Sequence, residues 1–176
     1  YTFSTTYNSM YKITNTVTGQ SSSTEYYDAF GRLVRSEETT DGKLRFTENT
    51  YDAKGDIITV KTTDANGGTI TTTNTYDNFH RLLTSNTPLL SITTTNTYTS
   101  NTGVGFTINS AITGQPTKIT KYDGTGNITE VSESADGQTT VNSYTYHPTG
   151  SILSITQGGN TLISCEYDEN GNQTKL

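Results

Sequence analysis

Tyr27-Asp28-Ala29-Phe30-Gly31-Arg32-Leu33-Val34 is the stretch whose reading organises the chain. Asp28 and Gly31 hold the first and fourth places of a four-residue turn. An Asp side chain accepts from nearby backbone N–H groups, and Gly adopts a positive φ at little cost. A type I turn followed by a left-handed Gly is a common hairpin connection. The stretch is therefore the tip of a hairpin, with Tyr27 ending one strand and Leu33-Val34 opening the next.

The same pattern returns along the chain. Tyr51-Asp52-Ala53-Lys54-Gly55 and Tyr76-Asp77-Asn78-Phe79-His80 follow it. So do Tyr122-Asp123-Gly124-Thr125-Gly126, Tyr146-His147-Pro148-Thr149-Gly150 and Tyr167-Asp168-Glu169-Asn170-Gly171. Two weaker units fit the spacing, at Tyr7 and Tyr98. The exceptions make chemical sense. Pro148 has its φ set for the second turn position. His80 replaces Gly, and His is enriched among non-Gly residues at positive φ. Self-similarity at a fixed period of 20–50 residues marks a repeat architecture. Residues 1–176 thus read as one array of about eight units of about 24 residues.

A second set of turns falls about halfway between the first: Asp41-Gly42, Asn66-Gly67-Gly68, Asp136-Gly137 and Gly158-Gly159-Asn160. These are hairpin signals as well. Between turns, Leu44-Arg45-Phe46-Thr47 and Ile58-Thr59-Val60-Lys61 alternate with period two, as a half-buried strand does. No segment carries a helical stripe. The expected fold is all-β, an antiparallel meander of fifteen or sixteen strands. A sheet that wide curls or packs on itself, so a curled sheet or partial shell is expected.

Composition agrees and excludes several functions. Only 29% of residues are hydrophobic, Thr fills 40 of 176 positions, and Trp is absent. Thr, Val, Ile and Tyr suit a pleated, half-buried surface, which points to a thin or one-sided core. A net charge of −6 with 11 scattered basic residues speaks against nucleic acid as a partner. No apolar run reaches the length of a membrane helix. Residues 1–10 lack the pattern of an export signal, so such a signal is expected outside this stretch. The single Cys165 offers no internal disulfide. The unit at Tyr167 stops in mid-hairpin, and a piece of a longer polypeptide is expected.

The motif Tyr-Asp-x-x-Gly-Arg-Leu at residues 27–33 resembles the YD repeat of rearrangement-hotspot (RHS) proteins. The repeat is shared with bacterial toxin-complex components, wall-associated proteins and animal teneurins. The resemblance covers nearly the whole chain and is poorest from Leu89 to Gln115. It implies a β-sheet strip spiralling into a hollow shell, which in bacterial members encloses a C-terminal toxin; some YD-repeat proteins are associated with carbohydrate binding. The family's self-cleaving core segment and variable toxin tail have no visible counterpart here.

The residues singled out are those of the repeat: Tyr27, Asp28 and Gly31; Tyr51, Asp52 and Gly55; Tyr76 and Asp77; Tyr122, Asp123 and Gly126; Tyr146 and Gly150; Tyr167, Asp168 and Gly171. All are read as structural, the Tyr side chains packing under the turns and the Asp side chains capping them. No nucleophile–base pairing and no Gly-rich phosphate loop is present, so no catalytic residue, cofactor or metal is expected. Asp168-Glu169-Asn170-Gly171-Asn172 looks like the start of a calcium loop but lacks the closing Glu. Asn127-Ile128-Thr129 and Asn172-Gln173-Thr174 are glycosylation sequons, meaningful in a eukaryotic source. The expected role is a non-catalytic segment of a β-shell in a large secreted or surface bacterial protein. Its partners are then further repeats, an enclosed toxin domain, and other copies meeting at sheet edges. The alternative is a surface adhesin or glycan-binding array presenting rows of Tyr and Thr.

Overall fold

A computed structural model describes residues 2–3, 11–16, 22–40, 42–64, 66–101 and 105–176. The strands fall into two compact units, Tyr1–Thr93 and Thr94–Leu176. The first contains β1 (Thr2–Phe3), β2 (Tyr11–Asn15), β3 (Ser23–Tyr27), β4 (Leu33–Thr40), β5 (Lys43–Tyr51), β6 (Ile57–Thr63), β7 (Thr69–Tyr76) and β8 (Leu82–Thr87). Each pairs antiparallel with the next in sequence. A 3-10 turn, Pro88–Leu90, follows β8.

The second unit repeats the scheme. It contains nearly all of β9 (Ile92–Asn101), then β10 (Gly105–Ile112), β11 (Thr117–Tyr122), β12 (Ile128–Ala135), β13 (Gln138–Tyr146), β14 (Ile152–Gln157) and β15 (Asn160–Ser164). Consecutive strands again pair antiparallel. A last pair, β16 (Glu166–Tyr167) and β17 (Gln173–Lys175), closes over the final motif turn. The all-β antiparallel meander expected from the turns is the observed fold.

One irregularity recurs at all six units of the motif at Tyr27, Tyr51, Tyr76, Tyr122, Tyr146 and Tyr167. Tyr26 pairs with Arg35 but Tyr27 pairs with Leu33, leaving Val34 as an inserted residue. The same one-residue shift lies opposite Tyr51, Tyr76, Tyr122, Tyr146 and Tyr167. Such a bulge bends its strand and increases the local twist. It also explains the apolar pair Leu33-Val34, which a strictly alternating strand would split between opposite faces.

Register sets the two faces of the first unit. Tyr27, Tyr51 and Tyr76 share one face with the residues opposite them, Leu33, Ile57 and Leu82. Thr69, Thr71, Thr73 and Thr75 of β7 lie on the other face and are exposed, while Ile70, Thr72, Asn74 and Tyr76 between them are half-buried. In the second unit Thr95, Thr97 and Thr99 of β9 are likewise exposed around half-buried Asn96 and Tyr98. The rows of motif Tyr and exposed Thr therefore occupy opposite faces of the first unit. Burial is thin throughout: among the described residues only Val34 and Cys165 are buried apolar side chains. Cross-strand pairs and hydrogen bonds must supply what a core does not.

The Tyr98 unit fits the spacing but not the geometry. Tyr98 sits inside β9 opposite Ile108, in a register without a bulge, and the strand runs on to Asn101. Tyr7 and Asp41 lie outside the described residues; Tyr11-Lys12-Ile13, into which the Tyr7 unit leads, begin β2.

Candidate functional site

Five of the six motif turns are built from one carboxylate. Asp28 Oδ1 accepts the N–H groups of Phe30 and Arg32, both at 2.9 Å. The Gly31 N–H closes onto the Asp28 carbonyl at 3.1 Å, and the Asp28 N–H onto the Arg32 carbonyl at 3.0 Å. Asp52, Asp77, Asp123 and Asp168 each accept the corresponding two N–H groups. The fourth position is left-handed, with φ of 75° at Gly31 and 62° at His80. His80 thus takes the conformation that Gly takes elsewhere. His147 stands where Asp is expected, and its Nδ1 accepts the Thr149 N–H at 3.3 Å, one of the two amides that the Asp carboxylate takes in the other turns.

One turn of this kind stands outside the Tyr-Asp series, at the Asn66-Gly67-Gly68 hairpin signal. Asp64 accepts the N–H groups of Asn66 (2.7 Å) and Gly68 (2.9 Å), the same five-residue arrangement. The signal was Asp-x-x-Gly at residues 64–67 without a preceding Tyr.

Capping shows in the acidities. Asp123 is held down at about 2 by its bonds from the Thr125 hydroxyl and from Asn127. Asp52 is lowered by the Asp56 N–H, and Asp168 by the Asn172 side chain. At Asp28 and Asp77 partial burial pushes upward, and the bonds from Arg32 and Arg81 outweigh it. Hydrogen bonds to the charged form are the common cause.

The motif tyrosines join successive units. Tyr51 donates its hydroxyl to the carbonyl of Leu33 at 2.8 Å, and Tyr76 to that of Ile57 at 3.0 Å. In the second unit Tyr146 donates to Ile128 at 2.7 Å and Tyr167 to Ile152 at 2.9 Å. Each acceptor is the first residue of a bulge, where the ladder is disrupted and a backbone carbonyl needs another donor. Asn49 and Asn74 add side-chain N–H donors to the first two carbonyls, at 3.1 and 2.9 Å. Tyr27 differs: its hydroxyl bonds Glu25 and its ring stacks on Tyr11 at 5.1 Å. Tyr122 stacks on Phe106 at 4.4 Å.

Neighbouring turns also touch. Lys54 Nζ meets Asn78 Oδ1 at 2.9 Å, and His80 Nδ1 meets Asp56 Oδ1 at 2.8 Å. The His147 ring lies 5.4 Å from that of Tyr167. A cleft of about 440 Å³ between two turns is lined by Asp123, Asn127, Tyr146, His147, Pro148 and Thr149. At the tips, Phe30 and Phe79 stand 83% and 77% exposed. Each has an Arg of its own turn near its ring, Arg32 at 5.0 Å and Arg81 at 5.2 Å.

On the face opposite the motif Tyr, the structure builds a cluster that no local motif announces. Arg35, 5% exposed, binds Glu37 and Glu48 at 2.7 Å each and lies 3.9 Å from the Phe46 ring. It fills by ion pairing and stacking the place of a hydrophobic centre.

Among the described residues, no group of three or more His, Cys, Asp and Glu side chains is placed to hold a metal. In the calcium-like stretch, Asp168 Oδ1 takes two turn amides and Oδ2 takes Asn172 Nδ2 at 2.9 Å. The two sequon side chains are engaged as well: Asn127 Nδ2 bonds Asp123 and Thr125, and Asn172 Nδ2 bonds Asp168. No family model matches the chain, and no curated protein gives a significant match.

Proposed function

We propose that the chain is a non-catalytic structural segment of a YD-repeat β-shell, part of a large secreted or surface bacterial protein that encloses a polypeptide cargo. The observation that carries this reading is the hydroxyl-to-carbonyl bond linking successive units, made by Tyr51, Tyr76, Tyr146 and Tyr167. The motif side chains hold one unit to the next and cap its turn, leaving few polar groups convergent on a ligand. Repeats that contact mainly their neighbours build extended strips of this kind. Immunoblotting of source cells and medium tests the proposal. A native product many times the 19.1 kDa of this chain, co-purifying with a separate C-terminal piece, is expected. A native product of about this chain's own mass would remove the container role.

A glycan-binding surface array is the second reading, favoured by the exposed Phe30 and Phe79 with their adjacent arginines. It requires glycan-array binding that disappears in the folded Phe30→Ser/Phe79→Ser variant.

A further inference from the structure

We propose that Asn66 is a site of spontaneous deamidation, which places an age-dependent charge in one turn of the first unit. The chain contains two Asn-Gly steps, Asn66-Gly67 and Asn170-Gly171. Glycine lacks a Cβ, so its amide nitrogen is open to the preceding side chain. Both glycines are left-handed, at 87° and 81°. Both donate to the turn Asp carbonyl, Gly67 at 3.2 Å and Gly171 at 3.0 Å. The two steps are thus the same chemical group in the same turn.

Their surroundings differ. A Cβ built on Gly171 would lie 3.0 Å from Thr149 Cγ2 and 3.2 Å from its Oγ1, so the neighbouring turn presses on this step. Around Gly67 no such atom of the described residues comes within 4 Å. The reaction needs the turn to open, so that the Asn side chain folds over the next peptide group. Opening at Asn66 displaces only the turn itself; opening at Asn170 must also displace Thr149.

In the reaction the Gly67 nitrogen, having lost its proton, attacks Asn66 Cγ. The N–Cγ bond forms, the Cγ–Nδ2 bond breaks, and ammonia leaves with a proton. Water then opens the succinimide at either carbonyl, giving Asp or isoaspartate. The new carboxylate arises beside Asp64, whose Oδ1 already accepts the Asn66 and Gly68 N–H groups. Like charge, and in isoaspartate an extra backbone methylene, loosen the turn that joins β6 to β7.

Peptide mapping by mass spectrometry of the chain held at mildly alkaline pH tests this. Folded, Asn66 should convert on the order of tenfold faster than Asn170, as a difference of about 1.4 kcal/mol in local opening would give. In concentrated urea the two rates should converge. Thr149→Gly should raise the Asn170 rate and leave that of Asn66 unchanged. Equal rates in the folded chain, a faster Asn170, or no conversion at Asn66 would each overturn the proposal; the folded-against-urea comparison stands even if the variant misfolds.

Discussion

The hydroxyl of Tyr51 donates to the backbone carbonyl of Leu33 across 2.8 Å, although the two residues are 18 apart in sequence. Leu33 opens the bulge opposite Tyr27, and Tyr51 ends the strand that returns one unit later. The Tyr of one unit thus satisfies the backbone irregularity created by the turn before it.

Removing that hydroxyl should cost stability without changing shape. Tyr51→Phe keeps the ring beside Arg32, 4.4 Å away, and deprives the carbonyl of one donor. A loss of about 1–2 kcal/mol is expected for a part-buried group left short of a partner. Asn49 still reaches the same oxygen, so Tyr146→Phe, with a Tyr rather than an Asn two residues earlier, should lose at least as much. Urea unfolding of the single variants measures both.

Acid should loosen the turn edge. Asp123 titrates at about 2 in the folded chain against an ordinary 3.8. A depressed carboxylate contributes stability above its unfolded value and loses that contribution as pH falls toward the folded value. Asp28, Asp52, Asp77 and Asp168 are shifted in the same direction. Melting temperature should hold near neutral pH and fall between about pH 5 and pH 2. Asp123→Asn keeps an acceptor for the turn amides and should remove part of that slope. An unchanged slope would show that this turn does not contribute to it.

The repeat was legible in sequence because its signals are local. Asp28 and Gly31 define a turn within four residues, and Gly31 and even His80 adopt the left-handed conformation their positions demanded. Tyr98 misled because spacing alone assigned it; the chain continues as strand to Asn101 instead of turning. Asn66-Gly67-Gly68 announced its turn, but the cap from Asp64 did not show because no Tyr precedes that Asp. The tyrosine hydroxyl bonds and the Arg35 cluster were illegible for a different reason: cross-strand register decides them, and register depends on bulges that move partners by one residue.

Arg35 should be among the most sensitive polar positions. Arg35→Ala leaves Glu37 and Glu48 side by side without their shared cation. Breaking a buried pair costs about 3–5 kcal/mol; Glu48 is 35% exposed, so about 2–3 kcal/mol is expected here. The Lys118–Glu133 pair, 3.8 Å apart and half-exposed on both sides, is the control. Lys118→Ala should cost less than about 0.5 kcal/mol. Chemical denaturation of the two variants separates them.

Gly105 is irreplaceable for a steric reason. It opens β10 at φ +130°, and an added Cβ would clash with the Tyr122 carbonyl oxygen of β11. Gly105→Ala must push β10 from β11 or break the pairing of Phe106 with Tyr122. A loss of about 2–3 kcal/mol is expected. Faster amide exchange confined at first to β10 and β11 would show where the strain is released.

The most direct test of the shell assignment is electron cryomicroscopy of the native full-length polypeptide that carries this chain. The account predicts that the meander runs into further hairpin units of the same kind, closing around density from a separate stretch of polypeptide. A native particle in which this meander stands alone, with both faces open to solvent and nothing enclosed, would contradict it.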